Sequence, residues 1–352
     1  MASLTRLKLL MFLTSILIFG TLFVLISVGM FLFDVFVADF PLWAGILFSI
    51  VISILFVLIQ WYISPWIVSH ASRLRYLKPG ENPWLEEKVR ELAGQARVPV
   101  PRLAVVPDPS PNAFVFGRTK GSSTLAVHEG LLQKLDKEET TAVLAHEIGH
   151  IRHNDCLVMT FVSAVPLIAY MVARTFMSFR FRSSGRGKGN ALIVAMIFTA
   201  VTAWIVYFIS QLLVMWLSRS REYYADAYSA YATKNPGALS SALSKITYGL
   251  STSREETSGL RAFYIEDPAT AKREIRDVMS HKDEYDLDKN GVLDESELHQ
   301  AMQKEQRSGW AKLNELFSTH PTAYKRILML KSIEREMSTS SMADPNDVYR
   351  FV

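Results

Sequence analysis

The chain has 352 residues, 49% of them apolar and 20% charged, with a formal net charge of +4. That apolar share is high for a soluble domain and low for a protein made only of spans, so a membrane-anchored globular domain is expected. No basic stripe interleaved with aromatics occurs, which argues against nucleic acid as a partner.

Leu9–Phe33 and Leu42–Ile63 are 25 and 22 residues without a charge. Each exceeds the ~20 residues that cross a ~30 Å hydrocarbon core. The first lacks a small-x-small cleavage site and reads as a retained anchor. Arg6 and Lys8 precede it, and Arg73, Arg75 and Lys78 follow the second segment. The link Asp34–Pro41 is acidic. By the positive-inside rule both outer ends lie in the cytoplasm, with Trp61, Tyr62 and Trp66 at the interface.

Three short runs rich in Val, Phe and Leu follow, Arg102–Val106, Ala113–Phe116 and Ser123–Val127. Pro109, Pro111, Gly117 and Gly121 punctuate them, which predicts a small antiparallel sheet. An exposed edge of it can pair with an extended peptide.

Glu138–His153, EETTAVLAHEIGHIRH, carries acids at its start and apolar residues at helical spacing. His146 and His150 are four apart, so both imidazoles leave one helix face and can grip one ion. Glu147 beside them completes H-E-x-x-H, two zinc ligands and a general base. The lone cysteine, Cys156, cannot form an internal disulfide and reads as a bystander thiol.

A second apolar pair follows, Leu157–Ala173 and Ala191–Leu217, with a basic loop between. Both outer ends must lie on one side, so the pair crosses twice or not at all. Two crossings are expected, with a partial hairpin at Pro166 as the alternative. In REYYAD, Glu222 and Asp226 are again four apart. Glu222 suits a third zinc ligand and Asp226 the acceptor that fixes a ligating histidine's tautomer. The short linkers on either side put the zinc near the cytoplasmic membrane face.

Asp286–Glu297, DLDKNGVLDESE, has the full pattern of a calcium loop. Asp286, Asp288, Asn290, the Val292 backbone, Asp294 and Glu297 fall at positions 1, 3, 5, 7, 9 and 12, with Gly291 at the turn. No second loop accompanies it, so calcium binding is expected to be weaker or to need a partner, such as a second copy in a homo-oligomer.

HEIGH at 146–150, SREYYAD at 220–226, SPNAFVFGR at 110–118 and STHPTAYKRI at 318–327 together resemble the HtpX-like membrane zinc metalloproteases, relatives of the CAAX prenyl proteases. The resemblance implies His146, His150 and Glu222 on zinc, Glu147 as base and Asp226 behind the ligands. It implies His320 and Arg326 near the site, for an oxyanion and a carbonyl or carboxylate, or as a staple for the C-terminal helix. Asn112 and Phe114 would line the substrate cleft. Thr322 stands where the family often has a second proline. The stretch from about 268 to 310 has no counterpart and reads as an insertion.

The expected architecture is mainly α with a small antiparallel sheet, a membrane-anchored zincin-type domain. Residues 1–66 form a two-span anchor and 67–352 a cytoplasmic peptidase domain, interrupted by the apolar hairpin 157–217 and the insertion. The expected function is cleavage of misfolded or membrane-associated proteins at the cytoplasmic face of the cell membrane, with Zn2+ and a calcium-modulated element. Prenyl-peptide processing and an inactive calcium-responsive scaffold are the alternatives.

Overall fold

The computed structural model describes residues 4–36, 42–178, 188–251, 316–339 and 344–352, and positions 265, 271, 272, 275, 276 and 284. The calcium-like loop 286–297 and the basic loop 179–187 lie outside the described residues. The chain divides into two compact units. One comprises residues 9–64 and 157–217, the other 1–8, 65–156 and 218–352.

The apolar unit is built from α1 (Leu4–Phe36), α2 (Leu42–Ala71), α6 (Asp155–Ser178) and the first part of α7 (Lys188–Thr233). Leu25, Ala169, Ala173, Ala203 and Val206 form a buried cluster, with Val172, Trp204 and Tyr207 packed against it. Small residues at such contacts let helix backbones approach closely. Phe12, Val194, Ile197 and Val201 are more than half exposed, as side chains facing lipid would be. Among the described residues four helices are long and apolar enough to cross a membrane. At 24 residues α6 is ~36 Å long, so it has the length to cross despite Pro166.

The second unit holds the sheet, β1 (Arg75–Tyr76), β2 (Arg102–Val106), β3 (Ala113–Phe116) and β4 (Thr124–His128), in the order β1-β2-β4-β3. The sheet is mixed, whereas the sequence suggested antiparallel pairing throughout. β3 and β4 form an antiparallel hairpin, with Phe114 opposite Ala126. β4 then inserts between β3 and β2, so β2 and β4 run parallel, Ala104 opposite Ala126. Ala104, Val106, Phe114, Phe116, Ala126 and Val68 close one core cluster on this sheet.

Helices α3 (Pro83–Ala96), α4 (Glu129–Lys134), α5 (Lys137–His153), α8 (Pro236–Ser251), α9 (Ala323–Thr339) and α10 (Pro345–Val348) complete the unit. Each end of α5 is fixed locally. Asp136 accepts from the Glu139 N–H while Glu139 accepts from the Asp136 N–H, a capping box. Asn154 stops the helix in the left-handed region, at φ 66°. The α5 helix packs on α3, α8 and β3. Ser241 and Lys245 of α8 hold Glu139 Oε1 at 2.6 and 2.5 Å. From the last part of α7, the Ser229 hydroxyl donates to the Ala142 carbonyl at 2.6 Å.

Candidate metal centre and active site

The α5 helix delivers His146, Glu147 and His150 on adjacent turns, and the end of α7 delivers Glu222 and Asp226. Gly149 allows these helices to meet. A Cβ there would lie 3.2 Å from the Tyr228 ring and 3.3 Å from Ala225 Cα, so a larger side chain would push them apart.

His146, His150 and Glu222 are the three side chains whose ligand atoms converge. The two Nε2 atoms are 3.1 Å apart, Glu222 Oε2 is 3.4 Å from His146 Nε2, and Glu222 Oε1 is 3.5 Å from His150 Nε2. A tetrahedral zinc ion with bonds near ~2.0–2.1 Å has its ligand atoms roughly 3.3 Å apart. The observed triangle therefore fits one face of such a tetrahedron.

Each histidine has a carboxylate beside its Nδ1. His146 Nδ1 lies 2.9 Å from Asp226 Oδ1, and His150 Nδ1 lies 2.6 Å from Asp155 Oδ2. A carboxylate behind Nδ1 keeps the proton on that nitrogen and turns the Nε2 lone pair toward the ion. Glu222 Oε2 is buried without a hydrogen bond, as an atom waiting for a cation would be.

Asp155 is a member of this arrangement that the motif reading did not single out. The signal was present, a carboxylate five residues after the second histidine. Arg221 Nη1 donates to the Asp155 carbonyl at 3.3 Å, which ties α7 to the same corner.

Arg326 on α9 is fully buried, and its guanidinium clasps Asp226 through Nε at 2.8 Å and Nη2 at 2.7 Å. Its Nη1 donates to the Ile265 carbonyl at 2.5 Å. The Ile265 N–H in turn donates to Asn112 Oδ1 at 3.0 Å, and Asn112 Nδ2 lies 3.5 Å from His128 Nε2. Asn112 is thus fully buried at the entry to β3, and Phe114 packs in the core cluster with its ring edge-on to His128. His320 is buried with Nδ1 3.5 Å from Glu222 Oε2, and neither ring nitrogen makes a hydrogen bond among the described residues. Cys156 directs its sulfur to the Val115 carbonyl at 3.7 Å and is not one of the converging ligands.

Glu147 is 3% exposed. Burial pushes its carboxyl up to about 7, against the pull of His146 and His150. A carboxylate poised there can take and return a proton near neutral pH. Burial pulls His146 down, but the carboxylates of Asp226 and Glu222 outweigh it and raise it to about 9. Away from the ligands, burial holds His128 and His153 down at about 4. His153 Nε2 lies 2.8 Å from the Tyr349 hydroxyl at the last turn of α5.

A helix presenting H-E-x-x-H opposite a second helix presenting E-x-x-x-D is the arrangement of a metallopeptidase, and four helices among the described residues are long and apolar enough to anchor it in a membrane. The profile of peptidase family M48 matches residues 79–334, and the chain belongs to that family. It is 40% identical over 246 residues to a protease HtpX homolog of Methanothermobacter thermautotrophicus, spanning 70% of this chain and 88% of the relative. A protease HtpX homolog of Moorella thermoacetica is 31% identical over 329 residues, 91% of this chain and 94% of the relative. That of Pyrococcus furiosus is 35% identical over 299 residues, 83% and 88% of the two chains. The crystal structure of S. mikatae Ste24p shares 18% identity at a TM-score of 0.48, covering 93% of this chain and 67% of that one. Family and relatives make the chain a membrane protease acting on protein substrates.

Proposed function

We propose that the protein is a zinc endopeptidase that cleaves misfolded or membrane-associated proteins at the cytoplasmic membrane face. The observation that carries this reading is the triangle of His146, His150 and Glu222, with a separate carboxylate behind each histidine. Zinc held there would supply Lewis-acid polarisation of the scissile carbonyl and acidify water. Glu147 takes the proton of the attacking water and hands it to the leaving amine. His320, buried against Glu222, donates to the developing oxyanion. Arg326 acts through Asp226, keeping His146 in the ligating tautomer. An extended substrate lies along β3, one of the two edge strands of the described sheet, whose start Asn112 fixes and whose Phe114 anchors it to the core.

The cytoplasmic orientation rests on Arg6, Lys8, Arg73, Arg75 and Lys78 flanking the first two segments. Asp286–Glu297 binds calcium in this reading and stiffens the connection between Glu222 and His320. The test is casein cleavage by the reconstituted chain with zinc buffered. The zinc chelator should abolish cleavage, and removing calcium alone should lower it. Cleavage indifferent to zinc removal would sink the metallopeptidase reading, and indifference to calcium would sink the modulation alone.

A further inference from the structure

Arg219 lies two residues beyond Leu217, where the fourth apolar segment ends. Its Nη1 donates to the Leu316 carbonyl at 3.3 Å and to the Ser318 carbonyl at 2.7 Å. An α-helix rises ~1.5 Å per residue, so Arg219 sits ~3 Å past the segment's end along α7. Side chains on a helix lean toward its N-terminus, here back toward Leu217. The guanidinium therefore ties the 316–318 backbone to α7 two residues past Leu217.

Two large apolar side chains stand out from that held backbone. Leu316 is 51% and Phe317 58% exposed, while Ser318 and His320 just after them are 3% exposed. At the end of the second predicted span, Trp66 and Ile67 are 60% and 53% exposed, the same chemistry at the same kind of boundary. The interfacial layer outside the hydrocarbon core is ~5–7 Å thick, about the reach of a phenylalanine side chain.

We propose that Leu316 and Phe317 form a lipid-contacting tip, seated in the interfacial layer of the bilayer with Arg219 as its strut. The tip docks the start of the His320-bearing stretch onto the membrane surface, so His320 reaches the metal centre from a backbone fixed against lipid. This rests on the reading of α7 as a crossing helix.

The test uses the full chain with Cys156→Ala, single cysteines at Phe317, Ile205 or Leu328, and a bimane label, in phosphatidylcholine–phosphatidylglycerol vesicles. Ile205 reports the span and Leu328 an exposed position on α9; they are 55% and 42% exposed. The label at 317 should be quenched by a headgroup-proximal nitroxide lipid and shielded from aqueous iodide relative to 328. Iodide quenching at 317 equal to that at 328, with 205 still quenched by lipid nitroxides, overturns the tip and leaves the span intact. Iodide quenching at 205 as well overturns the span and the tip with it. Shielding at 317 that appears only on adding casein makes the pair a substrate contact and overturns the lipid assignment.

Discussion

His146 and His150, the two histidines of the proposed metal site, stand one turn apart on α5, yet they are held in opposite ways. The carboxylate behind His150 comes from Asp155, five residues on, delivered by the turn at Asn154. The carboxylate behind His146 comes from Asp226, which depends on Arg326, one hundred residues further still. The same guanidinium reaches Ile265 and, through it, Asn112 at the start of β3. His150 is oriented by local chain geometry. The other is oriented by the assembled fold, and it therefore reports whether α9, α7 and the sheet are in place.

Breaking the long arm should cost most. Arg326→Met leaves Asp226 buried without its cation, and losing one partner of a buried pair costs about 3–5 kcal/mol. Thermal unfolding of the detergent-solubilised chain should show a large drop, with zinc lost at the same time. Acid should load both arms. His128 beside Asn112 and His153 at the end of α5 are held neutral, at about 4, by burial. Between pH 6.5 and 4 the unfolded chain takes up protons that the folded chain refuses, so stability falls as pH drops through that window. The loss is on the order of 3 kcal/mol for each histidine, and these two contribute no slope above pH 7. A melting series from pH 7.5 to 4.5 checks the sign.

The local arm should break more gently. Asp155→Asn keeps the shape and should weaken zinc binding roughly 10–100-fold, read by competition with a chromophoric chelator, with little change in melting. A double-mutant cycle sharpens the contrast. Asp226→Asn with Arg326→Met should be non-additive by up to about 3 kcal/mol, because the two touch. Asp155→Asn with Arg326→Met should add within about 0.5 kcal/mol. Strong coupling of that second pair would mean the arms are one network.

The local arm was also half legible before any coordinates. Helical periodicity alone puts His146, Glu147 and His150 on one face and Glu222 with Asp226 on another. Asp155 escaped because it lies past the helix end. Only the left-handed Asn154 shows that the chain turns and brings it back to His150. The long arm was less legible still. No spacing rule connects Asp226 to Arg326 or Ile265 to Asn112, since those contacts exist only once α9 has packed. β2, β3 and β4 could be read from their composition, but β1 and the strand order could not. That β4 inserts between β2 and β3 is a choice of partner among runs that look alike.

The zinc-peptidase account meets its most direct test in Glu147→Gln. The change keeps the side chain's size and leaves all three ligand atoms untouched. The account predicts one zinc per chain by elemental analysis, unchanged from the parent, with casein cleavage reduced to background. Zinc-dependent cleavage retained by this variant would contradict it.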